Sequence, residues 1–187
     1  MVNKRLSLGL DISTQSISAV LLDVDTRDMV YQYSLDYQKD ARLKKYGIQG
    51  QNYILPPKNE GEANQPAKLF PAALEALFSD MKSAGQPMRE IMVCNISAQQ
   101  HSHAYLSRHA RPIFGRLNIP GNSKSNLVTT LEGCFSLNIV PTWMTSDTIK
   151  QADFIRTFIG GKERMIQLSG SNSPARFTGA VIRKIAE

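Results

Sequence analysis

The chain has 187 residues, 42% of them hydrophobic, which is enough for the core of one ordinary domain or for part of a larger one. No apolar run approaches the ~20 residues that cross a bilayer, and Met1-Val2-Asn3-Lys4-Arg5 leads into a strand pattern, so neither a membrane partner nor export is expected. The net charge of +6 is uneven: residues 1–100 hold 11 Lys and Arg against 11 Asp and Glu, and residues 101–187 hold 11 against 5.

Leu6, Leu8 and Leu10 alternate with Ser7, Gly9 and Asp11, and Ile17, Ala19 and Leu21 repeat the same period, so two strands with one buried face are expected. The segment between them, Asp11-Ile12-Ser13-Thr14-Gln15-Ser16, is then a hairpin turn that gathers three hydroxyls, backbone N–H groups and one carboxylate. Hydroxyls and N–H groups suit phosphate oxygens. The carboxylate of Asp11 suits them only with a cation between, which is the arrangement of a Mg²⁺-nucleotide. The residues alone leave a plain polar β-turn equally open.

Residues 29–35 read as a third strand, joined to the second by Asp25-Thr26-Arg27-Asp28, and 36–64 as a long polar excursion over the surface. Leu69, Phe70, Ala73, Leu74, Leu77, Phe78 and Met81 recur at helical spacing within 66–84, and Gly85 is the stop signal. Residues 91–96 predict a fully buried strand that crosses over to a parallel central position. Cys94 in that strand and Cys134 on a helical apolar face are expected to be buried thiols of a reducing compartment, the cytoplasm, with no disulfide. Ala104-Tyr105-Leu106 reads as a short return strand. Ser125 or Asn126 is expected to cap a helix to about Phe135, and Ser146 or Asp147 one to about Ile159, ended by Gly160-Gly161. A last helix is expected from near Pro174.

His101 and His103 alternate along the chain, but no nearby Cys, Asp or Glu completes a metal set. Arg108, Arg111 and Arg116 have only Phe114 among them, which is not the aromatic-interleaved surface of a nucleic-acid binder. Trp143 by itself reads as a core aromatic, and Arg176 as a partner for a carboxylate or a helix start.

The β-β-β-α-β order, with an Asp-bearing turn between its first strands, is the plan of the ribonuclease-H-like, actin-like ATPase fold: an α/β fold with a mixed sheet and flanking helices. Four motifs occur in sequence along it: Gly9-Leu10-Asp11-Ile12-Ser13-Thr14-Gln15-Ser16, Ser97-Ala98-Gln99-Gln100-His101, Pro141-Thr142-Trp143-Met144, and Leu168-Ser169-Gly170-Ser171 through Arg176-Phe177-Thr178-Gly179. Together they resemble the N-terminal, sugar-binding half of the FGGY carbohydrate kinases, and within them the xylulose kinases of the eukaryotic type. The resemblance spans nearly the whole chain.

It implies ATP-dependent phosphorylation of a sugar hydroxyl, with a ketopentose such as D-xylulose as substrate and ATP and Mg²⁺ as cofactors. Asp11 would organise the Mg²⁺ hydration shell, and Ser13, Thr14, Gln15 and Ser16 would form the phosphate site. Gln100, His101, Trp143, Met144 and Arg176 would lie near the sugar, combining amide, imidazole and guanidinium groups with an apolar wall. Thr145-Ser146-Asp147 departs from the family, whose acidic or amide residue directly follows Trp-Met: either Asp147, displaced by two positions, is the substrate-site candidate from a shifted turn, or the site prefers another substrate. Ala98 and Ser102 replace flanking glycines, and Asn172 stands where related xylulose kinases carry Arg. These departures keep open a catalytically silent sugar-binding regulator. The family's catalytic Asp lies in a Gly-Gly-Asp segment that residues 1–187 do not contain. The expectation is therefore a partial first domain, partnered by a C-terminal nucleotide domain and inactive alone, with no nucleic acid and with a homodimer left open.

Overall fold

The computed structural model describes residues 5–118 and 126–187. Strands β1 (Leu6–Ile12) and β2 (Ser16–Asp23) form the predicted hairpin, antiparallel from Leu6↔Asp23 to Ile12↔Ile17, and β3 (Met29–Asp36) adds antiparallel to β2. Because side chains alternate across a strand, Leu6, Leu8 and Leu10 share one face with Ile17, Ala19 and Leu21, and all six are buried. After the three-residue strand β4 (Asn64–Pro66), helix α1 (Leu69–Ser83) covers that face with Leu69, Ala73, Leu77 and Met81. Its helical period and the strands' period of two meet in one apolar layer.

Strand β5 (Ile91–Ala98) runs parallel to β1, so the sheet order is β3-β2-β1-β5. It is not the buried central strand that its apolar run predicts. β5 lies at the sheet edge, with Met92 66%, Val93 55% and Ile96 59% exposed. No described element pairs with its outer side, so an apolar sequence is left facing solvent. Cys94 is accordingly exposed rather than buried.

The expected surface excursion over 36–64 is tied down instead. Tyr37 and Leu43 enter the core, a single 3-10 turn spans Lys44–Tyr46, and a bridge pairs Gln49 with Ile54. Arg42 clamps Asp80 on α1, at 2.7 and 2.6 Å, and also Asp40. The Arg42 hydrogen bonds hold both carboxyls below their usual range. Groups with depressed folded pKa values contribute stability above the ordinary carboxyl range and lose it as pH falls through the folded values. Arg42→Met should therefore lower the urea midpoint at pH 7, and its deficit should shrink below about pH 3.

The second sheet pairs β4 with β6 (Ile139–Pro141), from Asn64↔Pro141 to Pro66↔Ile139. Between β5 and β6, α2 (Ala110–Gly115) and α3 (Leu127–Thr130) close a small core of Ala110, Ile113, Leu131 and Cys134. Asn126 caps α3 as expected, its Oδ1 accepting from Thr129 N at 2.8 Å, and Ser125 lies outside the described residues. The helix ends at Thr130 rather than near Phe135, with Gly133 turning at φ 77°, so Cys134 is buried outside any helix. The expected return strand is a single bridge, Leu106 to Phe135.

Helix α4 (Ile149–Ile159) starts from Thr148, not from Ser146 or Asp147, and stops at left-handed Gly160 as expected. The final stretch holds two helices: α5 (Lys162–Ser169), which the sequence pattern does not announce, and α6 (Thr178–Ala186), which starts four residues beyond Pro174. No helix among the described residues is long and apolar enough to cross a membrane.

Candidate functional site

The hairpin turn is closed by Ser13 N donating to Ser16 O at 3.0 Å, with the Ser13 hydroxyl on the same carbonyl at 3.2 Å. Tyr37 N donates to Gln15 O at 3.0 Å and Gln99 N to Ile12 O at 3.0 Å, so neighbouring backbone grips the turn on two sides. The N–H groups of Thr14 and Gln15 make no hydrogen bond among the described residues. Asp11 sits at the end of β1 on the sheet face opposite Leu8 and Leu10. It is exposed and makes no hydrogen bond or ion pair with a described group. Free N–H groups suit phosphate oxygens, and a free carboxylate three residues earlier in the chain suits a hydrated divalent cation.

Beneath the turn lies a chain of side-chain amides. Gln65 of β4 is fully buried, and its Nε2 donates to the carbonyls of Thr14 and Tyr53, at 2.7 Å each. Gln99 Nε2 donates to Gln65 Oε1 at 2.9 Å, and the Thr14 hydroxyl donates to Gln99 Oε1 at 3.0 Å. Trp143 Nε1 donates to Thr14 Oγ1 at 3.0 Å. Trp143 is 46% exposed, a cleft residue rather than the core aromatic that the residue alone suggests.

Thr142 holds the turn that carries Trp143 and Met144. Its N–H bonds Ala63 O at 2.8 Å, its carbonyl accepts Thr145 N at 3.1 Å, and Thr145 Oγ1 also reaches Ala63 O at 3.1 Å. The segment rests on Gly61, which has φ +79° and whose absent Cβ would fall 2.8 Å from Ser146 Oγ and 3.0 Å from Asp147 N. Gly61→Ala should destabilise the chain by about 1–3 kcal/mol, through the left-handed backbone and the clash together, measurable as a lower urea midpoint with an unchanged slope.

Trp143 and Met144 form a wall between two cavities. One, of about 360 Å³, is bounded by residues 13–16, Gln51 and Asn52; the other, of about 380 Å³, by Thr145, Ser146, Pro174, Ala175 and Arg176. The structure thus gathers Ser13, Thr14, Gln15 and Ser16 in one cavity and Arg176 in the other, with Trp143 and Met144 common to both. His101, in a left-handed turn at φ 65°, stacks on Phe177 at 4.5 Å, which puts it beside the Arg176 segment. Gln100 is exposed and has no described partner. Asp147 lines neither cavity: it pairs with Lys184 of α6, and its Oδ1 is buried without a partner among the described residues.

His103 bonds the Tyr105 hydroxyl at 2.6 Å, and among the described residues no group of three or more His, Cys, Asp or Glu side chains is placed to hold a metal ion. Gln65 carries no motif of its own: it stands alone in a polar stretch, 51 residues from the turn that it holds. Gln99 does lie within a motif, but there the sugar-binding chemistry points to its neighbours Gln100 and His101 instead.

A protein from Brucella ovis described as a xyloylose kinase superposes with a TM-score of 0.66 at 14% identity, over 97% of this chain and 29% of its own. Plasmodium falciparum glycerol kinase, solved with ADP, superposes with a TM-score of 0.58 at 12% identity, over 97% and 28%. The chain has the actin-like ATPase fold of the sugar kinases. In sequence, the xylulose kinase of Saccharomyces cerevisiae is 31% identical over 182 residues, which is 96% of this chain and 29% of that protein. The chain thus spans about three-tenths of the length of the curated relatives it matches. No family model matches it. The hairpin that opens this fold carries Asp11 and the 13–16 turn, and the wall beside it carries Trp143.

Proposed function

We propose that the chain is the N-terminal, sugar-binding part of an FGGY-family carbohydrate kinase that transfers phosphate from ATP to a ketopentose such as D-xylulose. One observation carries this reading: the turn with free N–H groups and the cavity lined by Arg176 share a single wall, Trp143 and Met144. A phosphate donor and a sugar acceptor bound on either side of that wall would be neighbours. The relatives named xylulose kinases, similar across almost the whole chain, support the ketopentose.

The residues suit the roles. The Arg176 guanidinium supplies donors to sugar hydroxyls, the His101 imidazole both donates and accepts, and Gln100 is free to orient toward a ligand. The face of Trp143 offers an apolar wall to the carbon chain. The N–H groups of Thr14 and Gln15 point the turn's dipoles at an anion, and Asp11 holds a negative charge beside them for a hydrated cation. Bound Mg²⁺ would neutralise charge on the transferring phosphoryl group. Asp147 would reach a sugar only by leaving Lys184, so it acts in holding the wall in place. The catalytic base and the nucleotide domain come, in this reading, from polypeptide outside residues 1–187, so the chain alone has no turnover.

The test is a coupled ADP-release assay on the whole protein against ketoses and polyols. Turnover with D-xylulose is expected. No turnover with any of them overturns the reading, and sugar binding without ADP release would identify a silent regulator.

A further inference from the structure

Gln65 can face only one way. Both protons of its Nε2 go to carbonyl oxygens, those of Thr14 and Tyr53, and the reverse orientation would set its Oε1 against two acceptors. Its Oε1 therefore accepts, which obliges Gln99 to donate through Nε2, and that leaves Gln99 Oε1 to accept the Thr14 hydroxyl proton. The Thr14 oxygen also accepts from Trp143 Nε1, so its proton and one lone pair are both used. A single lone pair is left for a ligand.

We propose that Gln65 is a positioning residue that sets the direction of hydrogen bonding at the turn, so that Thr14 meets a ligand as an acceptor while the Thr14 and Gln15 N–H groups act as the donors. The proposal rests on the reading of this turn as a phosphate site and deepens it. A phosphate oxygen brings no proton, so it binds at the N–H groups. The group opposite Thr14 Oγ1 must carry a proton, as a cation-bound water or a substrate hydroxyl does. On this proposal Thr14 serves the phosphate through its N–H group and not through its hydroxyl proton. Gln65 touches none of the reacting groups. It acts through Thr14, Gln99 and, at the end of the relay, Trp143.

The chain has one tryptophan, so its indole N–H gives one resonance, and that proton is the one bonded to Thr14. In this chain, Gln65→Met and Gln99→Met should each shift the indole resonance relative to the unmodified chain. In the whole protein, the same substitutions should lower kcat by about tenfold to a hundredfold while the sugar KM stays within about twofold, because neither Gln65 nor Gln99 lines the sugar cavity and its Trp143 wall is still held through Thr142. A merely structural loss would lower the folded fraction without this split. Should the buried Gln65 variant fail to fold, Gln99→Met, on a half-buried site, carries the test. Either an unmoved resonance or an unchanged kcat in a folded variant overturns the proposal. If the unmodified whole protein shows no turnover, the kinase reading fails, and the resonance by itself decides the role of Gln65.

Discussion

On the kinase reading proposed above, Asp11→Asn in the whole protein is expected to lower kcat for sugar phosphorylation by about 10²–10³-fold, the usual loss when one preorganised charge-stabilising group is removed. Asn preserves the size of the side chain and its acceptor oxygen, so only the charge is lost. In the structure Asp11 is exposed and has no ion-pair partner among the described residues, and the N–H groups of Thr14 and Gln15, three and four residues on, are also free. A cation bound there would join the carboxylate to a phosphate held at the N–H groups. The substitution breaks no hydrogen bond or ion pair of the fold and relieves only the repulsion that the Asp11 charge exerts on ionised Tyr37, so thermal unfolding of the variant should match that of the unmodified protein to within a few tenths of a kcal/mol. The two measurements together separate a catalytic loss from a structural one. Full activity in the variant would remove Asp11 from the phosphate site.

Leu77→Ala has the largest expected effect on stability, about 2–5 kcal/mol. Leu77 is fully buried at the centre of the α1 face, packed in the same cluster as Leu8, Leu10, Ile17 and Leu21 of the hairpin. Truncation removes the transfer free energy of the lost methyl and methylene groups. It also leaves a cavity, because α1 is held at Asp80 by both Arg42 and the Tyr33 hydroxyl, the latter at 3.0 Å, and cannot close down freely. Against a typical total of about 5–15 kcal/mol for a domain, this loss is a large fraction. Urea unfolding followed by far-ultraviolet circular dichroism measures it, and a change below about 1 kcal/mol would mean that α1 does not anchor the hairpin.

The elements whose character is local are legible in the sequence. The alternation of Leu6, Leu8 and Leu10 and of Ile17, Ala19 and Leu21 marks a hairpin, and the spacing of Leu69, Ala73, Leu77 and Met81 marks α1. Asn126 and Gly160 mark a helix start and a helix end. Each depends on the chain's own period or on a cap within one turn of it. Expectation and structure part where burial depends on a neighbour. An apolar run at 91–96 reads as interior, yet β5 is an edge strand, because hydrophobicity cannot state which elements stand beside it. Helix α5 has no clear signature, because Lys162–Ser169 has only Met165 buried and so shows little apolar stripe.

The site divides in the same way. The residues of the turn, Asp11 to Ser16, are adjacent in sequence, and their chemistry follows from residue type and order alone. Trp143, Gln65 and Gln99 reach that turn from 129, 51 and 85 residues away. The parallel β1–β5 register brings Gln99 to the turn, and the β4–β6 pairing brings Trp143 alongside Gln65. Asp147 has the residue type of a sugar ligand but is drawn to Lys184, a contact with α6 that spacing does not encode.

By itself the sequence determined the sheet-forming hairpin, its covering helix and the polar turn between the first two strands, since strand and helix periods and turn chemistry act over a few residues. The tertiary structure alone decided that the hydroxyl proton of Thr14 is turned inward, toward Gln99, and that Trp143 stands in the cleft. A hydrogen bond's direction is set by the full chain of donors and acceptors it joins, and here that chain closes only when five segments, those of Thr14, Tyr53, Gln65, Gln99 and Trp143, meet.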